Sequence, residues 1–233
     1  MIIPLAALPG TLRGPSGDDY HGQVPKRARF LAPDAAASLG LLLRDLNNDL
    51  VFTDIYRSAA ESRHAYATKA GTQRPGYSAH GYGLAFDLDL SSTLHALGIT
   101  YANLCDVLAD YSWYCHRRDL DASGTEAWHF NYLGAEGDRY LSWADPHDPH
   151  TWATPVELRI LDRWGMQFHL NEEQIAAALQ KAGCADVMAF QRAWGLAADG
   201  IAGSMTQRVL AFVTAEVSAI EADQPIDNGS KPG

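Results

Sequence analysis

Two short segments of the chain carry histidine, aspartate and glutamate at spacings that suit a catalytic metal site. The first segment, SAHGYGLAFD, supplies His80 and Asp87, and the second, EAWH, supplies Glu126 and His129. Catalytic zinc takes three protein ligands from such a mixture and keeps a fourth position open for water. Two histidines and one aspartate would fill the protein positions. Glu126 is then left over, and a structural zinc site has no use for a general base.

The residues around Asp87 alternate between large apolar and small or acidic side chains from Leu84 to Leu90. Such alternation predicts a β-strand with one buried face. Asp87 and Asp89 would share the other face, where Ala85 leaves room. Because a carboxylate in an otherwise apolar sheet is costly unless it is paired or binds a metal, the pattern favours a metal-ligand role for Asp87.

His129 lies in an aromatic run, Trp128 to Tyr132, that predicts a second β-strand. Glu126 and His129 are three residues apart, so in an extended chain their side chains point to opposite faces. We therefore expect Glu126 at the start of this strand, where a bend brings its carboxylate to the water in the open position. Zinc lowers the pKa of such a water to about 7, and a glutamate can pass its proton to a leaving amine. The predicted reaction is hydrolysis of an amide bond.

Neither segment is decisive by itself. A lone histidine in an aromatic strand is usually a core or surface residue, and Glu three residues before His is common. The first segment is more constrained, since it also carries Gly81 and Gly83, which allow a tight backbone path beside a metal. Both segments also occur in the order that one zinc site needs.

The pattern S-x-H-x-x-G-x-A-x-D followed by E-x-W-H resembles the VanY-type D-Ala-D-Ala carboxypeptidases and the related peptidoglycan endopeptidases of phage endolysins. The Y-R-S letters that end at Ser58 resemble a third element of that family, and the resemblance covers about residues 30–135. It implies Zn²⁺ held by His80, Asp87 and His129, with Glu126 as the catalytic base.

The same resemblance implies how the substrate is held. Arg57 would bind a substrate carboxylate or stabilise the oxyanion, and its planar, always charged fork suits either role. Ser78 would contact the substrate backbone, and Trp128 is also expected to bind substrate. The alternative for Arg57 is an ordinary surface salt bridge.

The bond that is cleaved is less well defined than the metal chemistry. Many relatives carry a glutamine shortly after Y-R-S, where this chain has Glu61, Ser62 and Arg63. The following loop, residues 68–76, resembles that of the phage L-alanyl-D-glutamate endopeptidases, which makes this bond the leading prediction. The alternatives are a D-alanyl-D-alanine carboxypeptidase or endopeptidase and a non-catalytic, zinc-stabilised wall-binding protein.

The second half of the chain carries a separate motif. The run D-V-x-A-F-Q-x-x-x-G-L-x-x-D-G-I-x-G-x-x-T begins at Asp186 and resembles the three-helix peptidoglycan-binding module of many wall hydrolases. The alternative is a generic helical extension in which Phe190 and Trp194 pack into its own core. If the module binds the wall, the loop around Asp199, Gly200 and Gly203 is the expected contact.

These patterns predict an α+β catalytic domain with a small antiparallel sheet and flanking helices over residues 1–145, and a three-helix peptidoglycan-binding domain over 168–217. A linker, 146–167, and a disordered tail, 218–233, complete the chain. His147 and His150 in the linker could form a second metal site, although a solvated linker is the simpler interpretation.

Composition limits the partners. The 233 residues carry a net charge of −10, which argues against nucleic-acid binding because phosphate contacts need clustered Lys and Arg. No stretch approaches a membrane-spanning length. Cysteines number three, so a disulfide framework is not expected, and Cys115 would be either a buried small side chain or a neighbour of the metal.

The N-terminus is a poor signal peptide, because it lacks a basic region and is interrupted by Pro4 and Pro9. Synthesis in the host cytoplasm followed by holin-dependent release to the wall is the expectation by family analogy. The expected partner is bacterial peptidoglycan, and the expected state is a monomer.

Overall fold

The computed structural model describes residues 6–8, 10–15, 22–69, 72–115, 126–134 and 169–222, with side chains up to residue 213. The chain separates into two compact units that divide between residues 167 and 168. Over the described residues the fold is α+β, with seven α-helices and two small antiparallel sheets. None of the described helices combines the length and the apolar character that crossing a membrane requires.

The first unit contains both sheets. Strands β1 (Ala6–Ala7) and β2 (Phe30–Leu31) pair with each other. The larger sheet has the order β3-β4-β6-β5, and its strands are β3 (Phe52–Asp54), β4 (Ala85–Leu88), β5 (Trp113–Cys115) and β6 (His129–Tyr132). The α-helices of this unit are α1 (Pro33–Asp45), α2 (Ala59–Thr68), α3 (Leu90–Leu97) and α4 (Tyr101–Asp110).

One face of the larger sheet is aromatic and buried. The Phe86 ring lies 5.4 Å from Phe52, 4.4 Å from Trp113 and 5.7 Å from Phe130, measured between ring centroids. All four side chains are fully buried. Because successive side chains on a strand alternate between faces, residues next to Phe86 and Phe130 along the chain must point the other way. The aromatic core therefore directs Asp87 and His129 to the opposite face.

The helices begin where side chains can cap them. The sequence predicts Ser58 as the cap of α2, and the structure confirms it. Ser58 accepts a hydrogen bond from the Glu61 backbone N–H, and the Glu61 carboxylate accepts one from the Ser58 N–H, which completes a capping box. The Thr100 side chain caps α4. The sequence also predicts Asp34 as the cap of α1, which is wrong, because the helix starts at Pro33 and Asp34 lies in its first turn.

Two further expectations about local structure are corrected. Asp89 does not share a strand face with Asp87, because β4 ends at Leu88 and the Asp89 carboxylate caps α3 through the Ser92 N–H at 3.0 Å. The run of leucines in α1 also predicts a buried Leu41, but this side chain is 49% exposed, because it lies two residues after the buried Leu39 and so points away from that face.

The second unit has three α-helices among its described residues: α5 (Glu172–Lys181), α6 (Val187–Ala193) and α7 (Ser204–Ala222). Asn171 caps α5, as the sequence pattern predicts. Asp186, which the pattern predicts as the first residue of the next helix, caps α6 instead. The rings of Phe190 and Trp194 are buried and stack with centroids 5.7 Å apart, which confirms their place in the core. The sequence pattern predicts a third helix that ends at Phe212, whereas α7 continues to Ala222. Residues 218–222 of this helix fall in the segment that the sequence analysis predicts to be a tail.

Several predictions fall on residues outside the described ranges. These are the loop at 119–124, the linker at 146–167 with His147 and His150, and the tail beyond residue 222. None of the three cysteines, all of which lie in the described ranges, forms a disulfide bond; Cys105 and Cys115 are buried, whereas Cys184 is only partly buried.

Candidate metal centre

Three side chains that the sequence analysis assigned to a metal meet at one point. The ligand atoms of His80, Asp87 and His129 all lie within 4.8 Å of one another, which is close enough to bind a metal ion. His80 Nε2 is 3.2 Å from Asp87 Oδ1 and 3.2 Å from His129 Nδ1. His129 Nδ1 is 2.8 Å from Asp87 Oδ1. The ligand set is therefore compact, and it joins residues up to 49 positions apart.

The larger sheet and one short helix position these ligands. Asp87 and His129 face each other directly across the antiparallel pair β4–β6. His80 comes from a 3-10 helix, Ala79–Tyr82, which ends at Gly83 with φ of 64°. The left-handed turn at Gly83 lets the chain leave the helix and enter β4 within a few residues. Local sequence thus brings His80 and Asp87 together, and strand pairing adds His129.

A second hydrogen bond orients each imidazole. His80 Nδ1 donates to the Ile55 carbonyl at 2.8 Å, and His129 Nε2 donates to Asn131 Oδ1 at 3.3 Å. In a neutral imidazole the other ring nitrogen then carries the lone pair. Three acceptor atoms consequently point at one another with no proton to share. In metal sites of proteins, hydrogen-bond partners outside the ligand set commonly fix the tautomer of each ligating histidine in this way.

The spacing of the three acceptors fits a zinc ion. Zinc bonds to nitrogen and oxygen of about 2.1 Å require the corners of a tetrahedron to lie about 3.4 Å apart. The three measured separations are 2.8, 3.2 and 3.2 Å. A small outward movement of the side chains would accommodate an ion. The side chains are 3%, 15% and 12% exposed for His80, Asp87 and His129, so solvent competes little for the position.

The Asp87 carboxylate is held in its charged form. Burial by itself would raise the pKa of Asp87, but in the metal-free site the attraction of His80 and hydrogen bonds from both imidazoles, when these rings are protonated, outweigh it. The pKa of Asp87 therefore lies below its usual range. A metal ion requires a deprotonated ligand, and Asp87 meets that requirement without a further change.

Glu126 lies in a turn immediately before β6, with a left-handed φ of 57°. The Glu126 carbonyl accepts a hydrogen bond from the His129 N–H at 3.0 Å, so one turn joins the glutamate to a ligand. This turn is the bend that the sequence analysis expected at the start of the strand. The reach of its carboxylate to the metal position, and its role as base, stay predictions.

Tyr101 of α4 is hydrogen-bonded to the turn that precedes β6. Its hydroxyl donates to the Ala127 carbonyl at 2.9 Å and lies 3.1 Å from Cys115 Sγ. Burial, together with the neighbouring Cys115, raises the pKa of Tyr101 well above its usual value. The phenol therefore stays a neutral donor. Cys115 is buried next to Tyr101, which agrees with the interpretation of Cys115 as a small buried side chain.

Arg57 lies beside the metal ligands but is paired within the protein. Its backbone N–H donates to the His80 carbonyl at 3.3 Å. Its guanidinium donates from Nε to Asp54 Oδ2 at 3.0 Å, and Nη2 contacts the same oxygen. Asp54 in turn faces Asp87 across β3–β4. The structure thus adds Asp54, which the sequence analysis did not single out, to the surroundings of the expected substrate-binding arginine.

Two other expected substrate-binding residues differ in exposure. Ser78 is buried, and its carbonyl accepts from the Gly81 N–H at 3.1 Å. Trp128 is 43% exposed although it is a large apolar side chain, and its carbonyl accepts from the Leu88 N–H at 3.0 Å. Their contacts with a substrate stay predictions.

The structure also shows how several residues of the second motif contact one another. The buried Gln191 side chain donates to Asp199 Oδ1 at 2.7 Å and to Thr206 Oγ1 at 3.1 Å, and it accepts from the Gly200 N–H at 2.9 Å. Four motif positions thus form one hydrogen-bonded centre that shapes the loop. Ile201, at its tip, is 67% exposed.

Asn131, Tyr101 and Asp54 are the residues that sequence reasoning missed. Asn131 had a usable signal, because it lies two residues after His129 in a predicted strand and so shares its face. Tyr101 had none, since its partner Ala127 lies 26 positions away along the chain. Asp54 lies only three residues before its partner Arg57, so the spacing of this pair was a usable signal. No protein-family model matches the chain, and a search of curated proteins returns no significant match.

Proposed function

We propose that the protein is a zinc-dependent peptidoglycan hydrolase that cleaves a stem-peptide amide bond, most favourably the L-alanyl-D-glutamate bond. The observation that carries the proposal is the convergence of three acceptor atoms, from His80, Asp87 and His129, whose imidazoles are oriented by hydrogen bonds outside the cluster. The substrate class rests on the resemblance of the two sequence motifs to wall peptidases.

The residues of the site divide the chemistry among them. When bound, zinc supplies Lewis acidity that lowers the pKa of a water molecule and polarises the scissile carbonyl. Because only one of the three ligands, Asp87, is charged, the site keeps positive charge to balance the negative charge that develops on the carbonyl oxygen. Glu126 removes the proton of the attacking water and delivers it to the leaving amine.

The pairing of Arg57 with Asp54 supports an internal amide bond as the substrate. A terminal carboxylate is best bound by a guanidinium whose charge is not already balanced. Arg57 shares its charge with Asp54 through Nε and Nη2. It therefore acts as a positioned hydrogen-bond donor toward a peptide carbonyl, which suits an endopeptidase better than a carboxypeptidase.

The second unit serves as the wall-binding part in this proposal. The hydrogen bonds of Gln191 hold the Asp199–Gly200 loop in one conformation and present Ile201 to solvent. A module that binds an insoluble polymer raises the local concentration of a tethered enzyme by an amount that the linker sets. The same polymer would then be ligand for one unit and substrate for the other.

The test is digestion of purified cell walls by the full chain, with turbidity and mass spectrometry as readouts. We expect chelator-sensitive release, restored by zinc, of fragments that begin with D-glutamate or D-isoglutamine. Glu126→Gln removes the base while keeping the side-chain shape and should reduce turnover by about 10²–10⁴-fold with zinc still bound. Glu173→Gln is the matched control, because Glu173 is an exposed glutamate in the first turn of α5.

Other outcomes point to the alternatives. Loss of a terminal alanine without fragments beginning at D-glutamate would identify a D-alanyl-D-alanine carboxypeptidase. No release from walls of several chemotypes, although zinc is bound, would favour a non-catalytic wall-binding protein.

A further inference from the structure

Asn131 combines complete burial with an incomplete set of hydrogen bonds. It lies in β6 two residues after His129, opposite Ala85 on one side and Tyr114 on the other. Its side chain is fully buried, and its Oδ1 accepts from His129 Nε2 at 3.3 Å. Its Nδ2 is buried and has no hydrogen-bond partner. The amide therefore uses its oxygen toward a metal ligand and leaves its nitrogen unpaired.

Such an amide does not serve the stability of the sheet. An unpaired buried N–H group costs free energy, whereas an apolar side chain of the same shape at the same place does not. Leucine matches asparagine closely in shape and would remove the unpaired donor. Asn131 differs from leucine in carrying a hydrogen-bond acceptor, Oδ1, and the partner of that acceptor is His129.

That acceptor decides which nitrogen of His129 carries the proton. With Oδ1 facing Nε2, the proton stays on Nε2 and the lone pair on Nδ1 points at His80 Nε2 and Asp87 Oδ1. Without the acceptor, the other tautomer gains an advantage, because an Nδ1–H can donate to Asp87 Oδ1 at 2.8 Å. That internal hydrogen bond would occupy the position of the ion.

We propose that Asn131 is a positioning residue that holds His129 in the tautomer able to bind the metal. The inference rests on the metal site of the proposed function but not on the reaction or the substrate. The Ile55 carbonyl does the same for His80 from the main chain. A substitution can remove the Asn131 acceptor because it belongs to a side chain, whereas the Ile55 carbonyl belongs to the main chain.

Two substitutions separate the acceptor from the side-chain shape. Asn131→Leu keeps the approximate shape and removes the acceptor, whereas Asn131→Asp keeps an acceptor oxygen next to Nε2. Zinc affinity of the full chain is measured by competition with a chromophoric chelator. We expect Asn131→Leu to weaken zinc binding by about 10–100-fold, as is usual for loss of such a partner, and Asn131→Asp to bind at least as tightly as the unchanged protein.

Two readouts without metal test the tautomer itself. The ring-nitrogen NMR shifts of His129 in the metal-free protein should show the proton on Nε2, and in Asn131→Leu the proton should move at least partly to Nδ1. The metal-free Asn131→Leu protein should unfold at a temperature no lower than the unchanged protein, because it has lost an unpaired buried donor. A residue with only a structural role would give the reverse, lower stability with unchanged intrinsic affinity.

Several results would overturn the inference. These are equal zinc affinity in Asn131→Leu and the unchanged protein, an equal loss in both variants, or the proton on Nδ1 in the unchanged metal-free protein. The last measurement needs no variant, so a folding failure of Asn131→Leu does not remove the test. Absence of zinc binding in the unchanged protein would defeat both proposals. Zinc binding that depends on Asn131, together with intact walls after incubation, would defeat only the proposed function.

Discussion

Replacement of Gly83 by alanine should destabilise the first unit more than the same change at another left-handed glycine. Gly83 has φ of 64° and lies between the ligands His80 and Asp87. A methyl group on Gly83 would lie 2.7 Å from the Ala32 nitrogen and 2.7 Å from the Leu31 Cα. These are backbone atoms of a neighbouring strand and its continuation, so they cannot move aside as a flexible side chain can.

The expected magnitude has two parts. A left-handed conformation costs an alanine about 1–2 kcal/mol, and forcing a methyl group into a packed region costs about 1–3 kcal/mol. The free energy of unfolding should therefore fall by about 2–5 kcal/mol. The matched control is Gly98→Ala, because Gly98 also has φ of 64° but has open space within 4 Å of the added methyl group. Gly98→Ala should therefore show only the conformational cost of about 1–2 kcal/mol.

The assay is urea denaturation in the presence of chelator, followed by tryptophan fluorescence. The difference between the two variants, about 1–3 kcal/mol, isolates the steric term because the conformational terms cancel. A shift of the backbone at Gly83 also changes the separation of His80 and Asp87, so zinc affinity should fall in Gly83→Ala and not in Gly98→Ala. Equal loss of stability in the two variants would refute the reasoning from the close backbone contact.

Three further predictions concern the metal and the elements around it. Zinc added to the chelated protein at a hundredfold excess over its Kd should stabilise it by about 2.7 kcal/mol, and an unchanged melting temperature would contradict a site in the folded state. Tyr101→Phe should cost about 1–3 kcal/mol in urea denaturation at pH 8, because the buried Ala127 carbonyl loses its donor. Because the pKa of Tyr101 is raised in the folded state, its contribution to the free energy of unfolding is complete below pH about 10 and decreases progressively as the pH rises above that value. A difference in unfolding free energy between the unchanged protein and Tyr101→Phe that does not narrow above pH about 10 would count against this contact. Ser58→Ala should cost about 1 kcal/mol by removing the cap of α2, and a loss below a few tenths in the same assay would show that the capping box contributes little.

The candidate ligands His80, Asp87 and His129 show how much of the site local sequence patterns predict. The alternation around Phe86 predicted a strand with Asp87 on its free face, and the structure has that strand as β4. The same alternation wrongly included Asp89, because the letters do not reveal that the Ser92 N–H is available to end the strand and begin a helix. Periodicity identifies an element well and its limits poorly, since ends depend on individual hydrogen bonds.

The roles of Asn131 and Asp54 illustrate what pattern reading misses. Each is a polar residue in a short strand whose partner lies two or three residues away along the chain, so the spacing allows the contact but does not decide it. The Asp54 carboxylate meets Arg57 only because β3 ends in a bend, and Asn131 meets His129 Nε2 only because both side chains leave the same face of β6. Hydrogen-bond geometry at this scale follows from packing, which sequence spacing does not encode.

The sequence by itself determined the residue types of the candidate site, the two strands that carry Asp87 and His129, and the α+β class. It could do so because ligand chemistry depends on residue type and because hydrophobic periodicity is a local property. The tertiary structure alone decided that three ligand atoms converge within 4.8 Å, which acceptor outside the cluster each imidazole faces, and that Arg57 is paired with Asp54. The convergence of the three atoms depends on strand register, which joins residues far apart in the chain. The Arg57–Asp54 pair depends on the backbone bend after β3, and only the folded protein fixes either arrangement.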